Sequence, residues 1–108
     1  MEKLIAVLQN WTEHEYEPGW GASTRPDGCS LHLDKESCDS YVKAALDRCN
    51  TGPSASGYNL HMEAGSRTVV EITEKIYNKL EKSEDKSMRL SRAVASKMIE
   101  KGKIKELV

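Results

Sequence analysis

Apolar positions along the chain switch between a two-residue and a three-to-four-residue period, and the switches mark out strands and helices. Leu4, Ile5, Ala6, Val7 and Leu8 open a first strand expected over Lys3–Tyr16. Beyond them Trp11, Glu13 and Glu15 alternate with Thr12, His14 and Tyr16, which puts Trp11 on one face and His14 and Tyr16 on the other. Cys29-Ser30-Leu31-His32-Leu33 alternates again and is expected to pair back antiparallel. Pro18-Gly19 and Pro26-Asp27-Gly28, between the two, carry turn chemistry: proline presets φ and glycine takes the left-handed position.

The period then lengthens. Asp34 is placed to cap a first helix whose stripe is Cys38, Tyr41, Val42, Ala45, Leu46 and Cys49, and Asn50-Thr51-Gly52-Pro53 ends it. Ser54–Gly57 reads as loop, Tyr58–Met62 as a short strand, Ala64–Arg67 as a turn, and β-branched Thr68–Ile72 as a strand. Thr73 caps a second helix that buries Ile76 and Leu80, and Ser83–Ser87 breaks the pattern. Ser91 caps a third helix carrying Val94, Ala95, Met98 and Ile99, with Gly102 past its end; Lys103–Val108 is a last short strand or a tail. The expected fold is α+β, a small antiparallel β-sheet packed with about three α-helices, in a single domain over residues 1–108.

Hydrophobic residues make up 38% of the 108 and phenylalanine is missing, so the core is modest. Together with aromatic side chains expected to be exposed on the first strand and its loop, this points to a homo-oligomer, a dimer or higher. No apolar run approaches the roughly 20 residues of a membrane span, so no membrane partner is expected and a cytosolic location is the default.

Charge divides the chain. Residues 1–74 carry six Lys/Arg against twelve Asp/Glu, and residues 75–108 carry ten against five. A basic final third fits an anionic partner, or attraction between the two halves of the fold. The three cysteines cannot all pair. Cys38 and Cys49 are eleven residues apart on one expected helix, about 16 Å along its axis, too far for a disulfide or a shared metal. Cys29 and His32 face opposite sides of an ideal strand, so no metal is expected and the thiols read as buried and free.

The main local anomaly is Met88-Arg89-Leu90-Ser91-Arg92, which sets two arginines around a helix start, where the macrodipole disfavours cations but free N–H groups favour a phosphate. Trp20, Tyr58, Asn59 and His61 are groups that can hold a base or ribose. The chain has no GxxxxGK[ST], GxSxG or HExxH motif, Asp27 and Asp34 serve as turn and cap, and His14 and His32 read as structural, so no enzyme and no cofactor are expected.

The pattern GWG-x3-RPDG-x-SLHL from Gly19 to Leu33 is followed by a helix and the strand bearing Tyr58. Then comes Ile72-x4-Tyr77-x2-Leu80-x2-Ser83-x4-Met88-Arg89-Leu90-Ser91-Arg92. Together these resemble the first-described Thoeris anti-defence family of phage signal-sponge proteins, across most of the chain. The resemblance implies a small oligomeric α+β protomer acting in the host cytoplasm. It would sequester a small-molecule cyclic nucleotide signal, a cyclic ADP-ribose isomer or a cyclic oligonucleotide, without cleaving it. It implies ligand contacts from Arg25, Arg89 and Arg92, and from Tyr58; Asn59, next to Tyr58, is a candidate contact by its own chemistry. One departure is that the family has glycine where Lys86 or Ser87 stands. The competing reading is a small nucleic-acid-binding or host-protein-binding module using the basic C-terminal helices. Nucleic acid is the weaker partner, because Glu100 interrupts Lys97 and Lys101 and the acidic first two-thirds repels a phosphate backbone.

Overall fold

The computed structural model describes residues 3–17, 19, 21–49 and 59–107, with only the backbone at residues 15–17, 22, 23, 25, 48, 49 and 59–61. The elements run β1 (Leu4–Glu17), β2 (Gly21–His32), α1 (Lys35–Cys49), β3 (Asn59–Ile72) and α2 (Glu74–Lys82). A 3₁₀ turn (Glu84–Lys86) then leads to β4 (Ser87–Leu90), α3 (Arg92–Glu100) and β5 (Ile104–Glu106). All strand pairs are antiparallel, in the order β4-β2-β1-β3-β5. This is the α+β architecture expected from the alternation, with three helices on one five-stranded sheet.

Alternation along β1 divides the sheet into two unlike faces. Ala6 and Leu8 point to one side, where they join Cys29, Leu31, Val70, Ile72, Leu90 and Ile104 beneath Ile76 and Leu80 of α2 and Ala95 of α3. This is the apolar core, and Leu31, Val70 and Leu80 are fully sealed in it. Gln9 and Trp11 point to the other side with Ser30 and His32, and α1 covers them with Cys38 and Tyr41. Trp11 is only 1% exposed, so the aromatic expected at the surface of the first strand is a buried one. Cys29 and Cys38 are buried free thiols on opposite faces.

Two expected turns are bulges inside long strands. Asn10 pairs with Cys29 and Thr12 with Pro26, so Asp27 and Gly28 together oppose Trp11. Gly28 takes φ 74°, and its Cα sits so close to the Leu90 carbonyl that a Cβ would lie 2.4 Å from the oxygen. The turn chemistry of Pro26-Asp27-Gly28 is real, but β1 is long enough to keep pairing past it. Similarly, Gln9 pairs with Arg67 and Trp11 with Ala64, leaving Gly65 and Ser66 opposite Asn10 within a continuous β3. Buried Gln9 fixes that bulge: its Nε2 donates to the carbonyls of Gly65 (2.9 Å) and Asn10 (3.0 Å), and its Oε1 accepts from Arg67 Nε (2.9 Å).

The caps follow the sequence reading. Ser37 N–H donates to Asp34 Oδ1 at 2.8 Å, Ile76 N–H to Thr73 Oγ1 and Val94 N–H to Ser91 Oγ, both at 3.3 Å. The hydrogen bond from Ser37 holds the Asp34 carboxyl below its ordinary pKa. Ser87–Leu90, where no strand was expected, is an edge strand, because Met88 and Leu90 alternate towards the core while the backbone pairs with Cys29–His32. It is reached through Asp85 (φ 57°) and Lys86 (φ 50°), both left-handed. Ile104, 1% exposed, anchors β5 against Val70–Ile72, so the last segment is a strand. Among the described residues no helix is long and apolar enough to cross a membrane. The expected helix end at Asn50–Pro53 and the Ser54–Gly57 loop lie outside the described residues, as do Pro18, Trp20 and Tyr58.

Candidate functional site

The two motif arginines, Arg89 on β4 and Arg92 at the start of α3, lie on different sides of the sheet. Arg89 pairs with Ser30 and shares its face beneath α1, whereas Leu90 pairs with Cys29 in the core. Arg92 opens α3 and lines a cleft with Leu8 and Cys29, on the core side. The two were expected around one turn; the extended backbone of Ser87–Leu90 separates them across the thickness of the sheet.

On its side, Arg89 is occupied. Its Nη2 donates to the Asp27 carbonyl at 2.6 Å and to Asp27 Oδ2 at 3.1 Å, and the guanidinium lies 5.3 Å from the centre of the Trp11 ring. Asp27, read as a turn residue, is here the arginine's partner. The ring beneath starts a directed chain of hydrogen bonds. Trp11 Nε1–H donates to Ser30 Oγ (2.8 Å), which leaves the Ser30 hydroxyl proton for His32 Nε2 (2.7 Å). His32 must then carry its proton on Nδ1, donated to Ser87 Oγ (2.7 Å), and Ser87 donates to the Asp85 carbonyl (3.0 Å). The chain is complete only with His32 neutral. Burial, aided by the charge of Arg67, lowers its pKa from 6.5 to about 4.

A serine hydroxyl on an imidazole nitrogen is the geometry of a nucleophile and its base. Here Ser30 and His32 are both 0% exposed and packed under Tyr41, whose ring centre is 4.9 Å from that of His32. The arrangement ties β1, β2 and β4 together and offers no approach to Oγ. Arg67 flanks the same layer, pairing with Asp39 of α1 at 2.7 Å.

The cleft on the opposite face is open. It encloses about 200 Å³ over an apolar floor of Leu8, Cys29, Ala95 and Ile99, with Asn10, Arg92 and Ser96 as its polar groups and Pro26 and Gly28 along a wall. Arg92 is exposed and forms no ion pair among the described residues. Burial raises the pKa of the Cys29 thiol, which keeps it protonated and poorly nucleophilic. The cleft therefore combines one unpaired cation, an amide, a hydroxyl and an apolar surface, a set suited to holding a small anion with a ring or sugar attached.

The remaining expected contacts are placed by their backbones alone or not at all. Arg25 stands on β2 opposite Glu13, next in the chain to the cleft-lining Pro26. Asn59 begins β3 opposite Tyr16. Tyr58 and Trp20 lie outside the described residues, and of His61 only the backbone is described. Among the described residues no group of three or more His, Cys, Asp or Glu side chains could hold a metal ion. Asn10 and Ser96 were not among the residues singled out, since a lone Asn on a strand and a lone Ser on a helix carry no spacing signal. Comparison with known protein families, curated proteins and solved structures gives no match to this chain.

Proposed function

We propose that the protein is a binding protein that sequesters a cyclic nucleotide immune signal, a cyclic ADP-ribose isomer or a cyclic oligonucleotide, and so blocks host antiphage defence. It acts in the host cytoplasm and does not cleave its ligand. The observation that carries this reading is the cleft at the start of α3, where Arg92 stands without an acidic partner among the described residues. Arg92 meets a phosphate with a bidentate fork, and the apolar floor accepts a base or ribose face. The protonated Cys29 thiol supplies no nucleophile.

A cleft of about 200 Å³ is smaller than the roughly 300–1,000 Å³ that encloses a drug-sized ligand. The proposal therefore includes a homo-oligomer in which a second copy closes over the ligand. Ile99 of α3, which lines the cleft and is 50% exposed, supplies apolar surface for that contact.

Native mass spectrometry at micromolar protein with a panel of cyclic nucleotides tests the reading. The expected result is a dimer or higher species carrying intact ligand, with the same ligand mass recovered after heat denaturation. A ligand-free 12.1 kDa monomer against the whole panel overturns the reading. Recovery of a linearised product overturns binding without turnover.

A further inference from the structure

A second recess, of about 130 Å³, lies between α2 and the end of α3 remote from Arg92. Its inner wall is Ile76, Met88 and Met98, and its rim holds Lys75, Lys79 and Lys103. Lys75 and Lys79 stand one helical turn apart on α2, and Lys103 follows α3. No carboxylate lines the recess, and none of the three lysines forms an ion pair among the described residues. Three lysines lining one small recess concentrate positive charge around the space they share. This is also where the basic excess of residues 75–108 becomes local, since Arg92 accounts for only one of those ten cations.

We infer that this recess is an anion site separate from the Arg92 cleft, taking a compact polyanion of the pyrophosphate type. The three lysines set the charge of the ligand, and the small volume agrees with a compact one. The volume falls below the roughly 300 Å³ at which sites for drug-sized ligands begin, so it fits linked phosphoryl groups and leaves an attached nucleoside outside. The concave shape, with lysines on two elements facing one space, favours a small anion over the continuous exposed ridge that a nucleic-acid backbone needs. The inference does not rest on the proposed function, because no residue is shared between the two clefts.

The test is ¹³C-methyl NMR of Met88 and Met98 during titration with inorganic pyrophosphate at low ionic strength, where exposed cations are least screened. Both methyls are expected to shift saturably. Lys79→Gln with Lys103→Gln should raise the Kd about tenfold or more, while Lys97→Gln with Lys101→Gln, or Arg92→Ala, should change it by less than about twofold. An ADP arm separates the sources of the phosphates. Equal methyl shifts assign the site to a diphosphate wherever it is carried, and shifts with pyrophosphate alone assign it to the free ion. The inference is overturned by methyls that do not saturate, or by an equal loss in the Lys97→Gln/Lys101→Gln protein. It is also overturned by a single-stranded oligonucleotide that binds more tightly than pyrophosphate.

Discussion

Arg89 holds its guanidinium 5.3 Å from the centre of the Trp11 ring, on the face of the sheet opposite the cleft that Arg92 lines. The same guanidinium donates to Asp27 across the Gly28 bulge, so it links β4 to β2 above a buried indole. Arg89→Ala is therefore a stability variant. A charge-assisted hydrogen bond and a cation–π contact, both discounted for a side chain 36% exposed, set the loss at about 1–2 kcal/mol. Arg89→Lys keeps the charge without the fork and should recover part of it. Urea unfolding measures both, and an Arg89→Ala protein as stable as the parent would contradict this assignment.

Arg92→Ala should behave oppositely. With no ion pair to lose among the described residues, the free protein should melt within about 0.5 kcal/mol of the parent. The thermal upshift given by a saturating cyclic nucleotide should largely vanish, because a charged hydrogen bond of about 1.5–3 kcal/mol corresponds to roughly 10- to 150-fold in affinity. Lys97→Ala, further along α3 and absent from the cleft lining, should keep the upshift. An equal loss in both variants would favour the nucleic-acid or host-protein reading.

His32 makes stability depend on pH with a defined sign. Its pKa is about 4 in the folded protein against an ordinary 6.5, so between those values the unfolded chain binds a proton that the folded one refuses. The contribution is complete above the unfolded pKa and falls as pH drops towards the folded one, by up to about 3 kcal/mol. His32→Gln should be less stable at neutral pH but should lose this acid-dependent step. Urea midpoints of the two proteins across the window check it, and parallel pH profiles would remove His32 as the cause.

Gly28→Ala should be among the most damaging single changes. A Cβ at 2.4 Å from the Leu90 carbonyl oxygen forces the backbone apart, and φ 74° strains any other residue. The expected cost is about 2–4 kcal/mol, and binding at the Arg92 cleft should weaken too because Gly28 forms part of its wall. Denaturation and ligand titration on the same preparation measure both. A stability change below about 1 kcal/mol would mean the bulge relaxes freely.

Lys86→Gly should stabilise. Lys86 sits at φ 50° beside Asp85 at φ 57°, and a left-handed residue with a side chain costs about 1–2 kcal/mol. Part of the relief is offset by the added freedom of the unfolded glycine, leaving a gain of about 0.5–1 kcal/mol. Lys86→Ala removes the charge but keeps the strain and should show no such gain, so equal unfolding midpoints for the two variants would rule out backbone strain.

The sequence made the helices plain because their signals are local: Thr73 and Ser91 cap the helices they were expected to cap, and Cys38, Ile76, Leu80 and Ala95 bury. The length of the strands was hidden. Gly28 and Gly65 look like chain reversals until β1 is known to run past both, which only the pairing of β1 on its two sides decides. The candidate cleft was legible only in part: Arg92 stands out by its odd place at a helix start, whereas the separation of Arg89 from it depends on a four-residue strand too short to announce itself. The second role of Asp27, as partner of Arg89, was hidden for the same reason, since Arg89 lies on that strand.

The central position of β1 has a consequence for how the chain is made. As a nascent chain emerges, β1 and β2 can pair early, but Leu4 must wait for Ile72 and β5 must follow later still. Until then Ala6 and Leu8 present bare apolar surface, while α1 is already able to cover Trp11 on the reverse. Synthesis thus passes through a half-clothed sheet whose sticky side is the one destined for α2 and α3, and whose residence time is set by translation as much as by folding.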